Sequence, residues 1–134
     1  MKKIVIIGAN DFQNQLILKA KEMGFETHVF AWQDGSIGER TADHFYPVSI
    51  VEIDEILEKC REIKPDAVAT IASDLANITV SKVAAGLGLP GNTPECIELS
   101  TNKYAMRSAF LKTGLPTPKF YKVDRVIPEL MEME

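Results

Sequence analysis

The chain has 134 residues, 46% hydrophobic and 25% charged, with a formal net charge of -4 at pH 7, a balance that suits one soluble globular domain. Its lysines are scattered and form no basic stripe along which a phosphate backbone could run, so nucleic acid is not an expected partner. Cys60 and Cys96 stand in no zinc or redox spacing and read as idle thiols, and the four aliphatic residues Ile4 to Ile7 are too few for a signal peptide or a membrane span. A cytoplasmic protein without a membrane partner is expected.

Lys3 to Gly8 (KIVIIG) is a continuous apolar, β-branched run ending in glycine, the pattern of a strand covered on both faces by helices. Phe12, Leu16, Ile17, Ala20 and Met23 then recur at helical spacing before Gly24, which suits a helix stop. Glu26 to Trp32 reads as a second strand, and a polar loop with Gly35 and Gly38 leads to a short third strand near Phe45 to Val48. Ser49 and Glu52 have capping-box spacing and open a helix bearing Val51, Ile53, Ile56, Leu57 and Ile63, stopped by Pro65. Asp66 to Ser73 is a fourth strand, followed by a helix from Asp74 that carries Ile78, Val80, Val83, Ala84 and Leu87 and ends at Gly86 and Gly88.

Strands alternating with helices at this spacing require a mostly parallel, doubly wound α/β sheet, because parallel neighbours need right-handed crossovers. Ligands of such sheets bind beyond the carboxyl ends of the strands, here the loops Gly8 to Phe12 and Ser73 to Asn77. Farther on, Pro94 opens a short helix, Asn102 to Lys112 a second one closed by Gly114, and Pro116 and Pro118 impose extended backbone. Lys119 to Val123 reads as a last strand, and the tail from Val126 has no visible partner.

The loop after the first strand is not a dinucleotide fingerprint: Asn10 and Gln13 stand where the second and third glycines of GxGxxG belong, and the second strand ends in Ala31-Trp32 without an acid for a ribose. No P-loop motif occurs. Gly8, Ala9 and Asn10 are candidate substrate-binding residues, since backbone amides before a helix attract a carboxylate or phosphate. Equally, Gly8 permits a turn and Asn10 or Asp11 caps the helix. Asp74 faces the same crevice and is either a substrate contact or a helix cap. His28 and His44 have no acid or cysteine at ligand spacing, so neither is read as catalytic or metal-binding and no metal residue is assigned. Trp32 and Tyr46 are either crevice-lining or packing residues, and packing is the commoner role of an aromatic beside a sheet.

From Leu87 to Phe120 the sequence LGLPGNTPECIELSTNKYAMRSAFLKTGLPTPKF resembles the stretch that joins the N-terminal domain of ATP-grasp ligases to the ATP-grasp fold. Leu89-Pro90-Gly91, Asn102-Lys103, Met106-Arg107 and Gly114-Leu115-Pro116-Thr117-Pro118 carry the likeness, with Asn102 where most members have aspartate. Biotin carboxylase, the carbamoyl phosphate synthetase large subunit, purine-pathway ligases and amino-acid ligases share this pattern. The resemblance implies a Rossmann-like pre-ATP-grasp domain over residues 1–100 and a helical hinge with a first strand over 101–134. It implies a parent enzyme that uses ATP and Mg2+ to activate a carboxylate as an acyl phosphate for attack by an amine. Lys103 is then the residue that reaches the nucleotide phosphates, with Arg107 one turn later on the same side. The lobes that grasp ATP are expected outside this chain, so the chain alone should be inactive and bind no cofactor tightly. A homodimer fits the resemblance as well. The competing expectation is a stand-alone doubly wound domain that holds a small anion or nucleotide.

Overall fold

The computed structural model describes residues 1–123. β1 (Lys3–Ile7), α1 (Asp11–Glu22), β2 (Glu26–Phe30), α2 (Ile37–Thr41), β3 (His44–Tyr46), α3 (Ile53–Ile63), β4 (Ala67–Ala69) and α4 (Asp74–Leu87) follow in order, then α5 (Pro94–Thr101) and α6 (Lys103–Lys112). Two units divide the chain, Met1–Ile97 and the part that begins at Glu98. Among the described residues no helix is long and apolar enough to cross a membrane.

All strand pairs are parallel and their order is β3-β2-β1-β4. Alternation along β1 sends Val5 and Ile7 to one face, where they join Phe30, Ile56, Cys60, Ile63 and Val83. Ile4 and Ile6 go to the other, against Ile17, Ala20 and Val29. Both faces are therefore covered, by α3 and α4 on one side and α1 on the other, which is the doubly wound α/β arrangement that the sequence leads one to expect. Burial pushes the Cys60 thiol up to about 12, whereas Cys96 is exposed.

Several boundaries differ from the sequence expectation. α3 begins at Ile53 and its N-cap Glu52 makes no side-chain capping bond, so Ser49 and Glu52 form no capping box. Glu52 instead donates its amide to the Ser49 carbonyl at 3.0 Å, closing a turn that leaves Val51 exposed. Phe12 and Met23, placed on the apolar face of α1, are 65% and 64% exposed. The polar loop after β2 contains the short helix α2, and β4 covers only part of Asp66 to Ser73. Lys119 to Val123 carries no strand, because no strand lies beside it among the described residues to supply hydrogen bonds. The tail from Val126 lies outside the described residues.

Strand pairing corrects one premise about the histidines, that no acid stands near them. His44 lies opposite His28 in the parallel register, and Glu26 occupies the same face of β2 two residues earlier. Glu26 Oε1 is 3.0 Å from His28 Nε2 and 3.1 Å from His44 Nε2, so an acid does sit within ligand distance of both rings. Burial, followed by the neighbouring His44, pushes the His28 pKa down against the upward pull of Glu26.

Next to this edge, Asp43 ties three elements together. Its Oδ2 accepts from the Thr27 amide at 2.9 Å and from Thr27 Oγ1 at 2.8 Å, while Oδ1 lies 2.7 Å from Lys21 Nζ. The Lys21 contact first, then the Thr27 amide, hold the carboxyl down from 3.8 to about 2. A carboxylate with a depressed folded pKa stabilises above its unfolded value and loses that contribution as pH falls through the folded value. Thermal unfolding should therefore keep its midpoint down to about pH 4 and lose stability toward pH 2. Asp43→Asn should lower stability at neutral pH by about 1–2 kcal/mol and flatten that acid limb, as read by thermal melts across the pH range.

Candidate functional site

The chain runs from β1 outward to β2 and β3, then returns to place β4 on the other side of β1. The loops leaving β1 and β4 consequently diverge, and such a divergence opens a crevice at the carboxyl ends of the two strands. Gly8, Ala9 and Asn10 form one wall and the residues from Thr70 to Asn77 the other.

Gly8 adopts φ +105, and a Cβ there would lie 2.9 Å from Gln13 Cγ, so only glycine suits the position. Its amide donates to the Phe30 carbonyl at 2.8 Å. Ala9 is buried and its carbonyl accepts from the Gly38 amide at 3.0 Å. Asn10 caps α1, its Oδ1 accepting from the Gln13 amide at 3.1 Å. Of the two readings left open for Gly8 to Asn10, the turn with a cap is the one that the described contacts realise. Asp74 does not cap α4, because Ser73 does so through a 3.2 Å bond from the Ala76 amide. Exposed in the first turn of α4, Asp74 lines a cleft of about 280 Å³ with Thr70, Ala72, Ser73 and Asn77. Ala72 holds φ 51, a left-handed conformation that is uncommon for alanine and that turns the chain into α4.

Two residues that no sequence motif singled out organise this crevice. Gln13 is 2% exposed, and its side-chain amide pairs with the backbone of Ile71: Oε1 accepts from the Ile71 amide at 3.1 Å, and Nε2 donates to the Ile71 carbonyl. The position where a dinucleotide fingerprint has its third glycine thus carries a bridge between the walls. Thr70 Oγ1 adds a 2.9 Å bond to the Ile7 carbonyl. Gly38 is the second residue: a Cβ there would fall 2.5 Å from the Ala9 oxygen. The sequence signal for Gln13 was its replacement of a glycine at a helix start; Gly38 read only as a glycine in a polar loop. Around the same end of the sheet Phe12, Trp32 and Leu75 are 65%, 70% and 53% exposed, so Trp32 is not packed within this unit.

Lys103 belongs to the second unit, at the first position of α6. The N-cap Asn102 accepts from the Tyr104 and Ala105 amides, both at 3.1 Å, and donates to Glu98 Oε1 at 2.6 Å. Asn102 therefore has a structural task that aspartate could share in part, since it too accepts at an N-cap. The same unit holds a cleft of about 690 Å³ lined by Tyr104, Ser108, Lys112, Lys119, Phe120 and Lys122, among others.

Comparison with known proteins rests on structure: no family model matches the sequence, and no curated protein does. Among solved structures, phosphoribosylglycinamide synthetase from Anaerococcus prevotii matches 84% of this chain at 27% identity with a TM-score of 0.72. The chain has the N-terminal domain fold of the ATP-grasp superfamily. An L-amino acid ligase from Bacillus licheniformis matches 100% of the chain at TM-score 0.81 and 23% identity, and N5-carboxyaminoimidazole ribonucleotide synthetase from Thermotoga maritima matches 98% at 0.76 and 23%. The chain spans about a third of these structures, between 29% and 36% of their length.

Removing the bridge should loosen the crevice. Gln13→Leu strands the Ile71 amide and carbonyl and should cost about 1–3 kcal/mol, with faster hydrogen exchange at Ile71 and in the turn to α4 as the distinguishing readout. Gly38→Ala must displace the Ala9 loop backbone and should cost a similar amount, about 1–3 kcal/mol by thermal or urea unfolding.

Proposed function

We propose that this chain is the substrate-side domain of an ATP-dependent ligase that activates a carboxylate as an acyl phosphate for attack by an amine. The observation that carries the reading is the match of 84% to 100% of the chain to three carbon–nitrogen or carboxylate-using ATP-grasp enzymes. ATP in such a parent supplies the phosphoryl group that makes the carboxylate reactive, and Mg2+ neutralises the phosphate charge.

This chain's residues fit part of that task. Lys103 is an exposed ammonium at the start of α6, a point charge of the kind that binds phosphate oxygens. The amides of the α6 first turn are already engaged by Asn102, so the side chain rather than the helix terminus makes the phosphate contact. The crevice between β1 and β4 orients the substrate: its bridge fixes both walls, Asp74 and Asn77 supply polar groups, and Phe12 and Leu75 offer apolar surface at the rim. A stand-alone anion-binding domain is the weaker reading, since the Gly8 and Gln13 amides that would cradle an anion are engaged by Phe30 and Asn10.

Calorimetry with ATP and Mg2+ tests the proposal on this chain and on a form extended through the ATP-grasp lobes. The extended form should bind in the micromolar range and this chain alone should not. Lys103→Ala should weaken the extended form by roughly ten- to a hundredfold, the loss of one charge-assisted contact of about 1.5–3 kcal/mol. Tight ATP binding by the short chain, or none by the long one, would overturn the ligase reading.

A further inference from the structure

We propose that Glu26, His28 and His44 form a binding site for a divalent first-row transition cation, with zinc as the fitting example, at the edge of the sheet away from the substrate crevice. One ligand atom from each residue lies within 4.8 Å of the others. The site is built by pairing: β3 is the edge strand, His44 faces His28 across the parallel ladder, and Glu26 stands on the same face of β2. Because parallel strands present their carboxyl ends together, a cluster at the first residues of β2 and β3 lies toward the opposite end of the sheet from Gly8 and Asp74.

Two imidazole nitrogens and a carboxylate oxygen are a recognised zinc donor set, which leaves a fourth position for water. A tetrahedral ion with bonds of about 2.0–2.1 Å holds its ligand atoms about 3.3 Å apart. Here the two nitrogen–oxygen separations are already 3.0 and 3.1 Å. The rings stack with centroids 4.5 Å apart and planes 17° from parallel, so binding needs His44 to swing. Its side chain is 50% exposed and free to do so sterically, whereas that of His28 is 5% exposed and fixed.

His28 is also held from behind. Its Nδ1 lies 3.0 Å from Tyr46 Oη, the outer-shell contact that orients a metal-bound imidazole. With Nε2–H donating to Glu26, Nδ1 accepts from the tyrosine hydroxyl; with an ion on Nε2, the other tautomer donates Nδ1–H to the same oxygen. That exchange moves a proton between ring nitrogens without releasing one. Tyr46 in turn stacks on Phe30, centroids 4.6 Å apart, within the core. An ion here would clamp the edge strand to β2 and stabilise the fold, in addition to and independently of any role in ligation.

The test is zinc calorimetry on untagged protein in a Cys96→Ser background, which removes the exposed thiol as a competing ligand. One equivalent should bind, the thermal midpoint should rise with zinc concentration, and cobalt should give d–d absorption of a low-symmetry site. His44→Ala, at a half-exposed position that spares the core, and Glu26→Gln should each weaken binding by at least about tenfold, and Tyr46→Phe by about tenfold through the outer shell. Circular dichroism verifies that each variant is folded; should His28→Gln fail to fold, the His44 and Glu26 variants decide. No binding tighter than about 100 μM, or binding that survives either His44→Ala or Glu26→Gln, overturns the site.

Discussion

Parallel pairing of β1 on both of its edges governs the molecule. A central parallel strand has no solvent face, so Val5, Ile6 and Ile7 are wholly buried and every neighbouring strand must be reached by a crossover over one face or the other. α1 takes one face while α3 and α4 take the other. The reversal of direction between β3 and β4 follows from filling both sides of β1, and that reversal is what separates the two loops and creates a crevice. The site is thus a by-product of how the core is closed, and its location would persist through wide changes of loop sequence.

Within that frame Gln13 determines what kind of crevice it is. In a dinucleotide site, glycine at the corresponding position lets helix and strand approach so that pyrophosphate can lie on the helix terminus. Here the buried carboxamide spans from α1 to the Ile71 peptide, and Asn10 occupies the amide that a phosphate would use. The β1–α1 turn is consequently a braced wall rather than a cradle for pyrophosphate.

Much of this was legible in the residues. The unbroken apolar run of β1 announced burial on both faces, and glycine punctuation marked the ends of α1 and α4, so class and element order followed. Local signals failed where tertiary contacts outweigh them. Ser49 and Glu52 have the right spacing for a capping box, yet the Ser49 carbonyl is used in a turn. Phe12 keeps helical spacing with the core residues but sits at the crevice rim, where nothing covers it in this unit. The Glu26, His28 and His44 grouping was invisible because His44 joins the other two only across strands, and register cannot be read from spacing along one chain. Gln13 was noticed as a missing glycine, whereas its partner, a backbone peptide 58 positions away, leaves no mark in the sequence.

The contrast between the two cysteines has a practical consequence. Cys60 is enclosed by the core with its thiol suppressed, and Cys96, the other cysteine of the chain, is open to solvent one residue before the end of the first unit. The natural sequence therefore already carries a single addressable attachment point at the junction, where a fluorophore or spin label would report directly on whether the two units turn against each other.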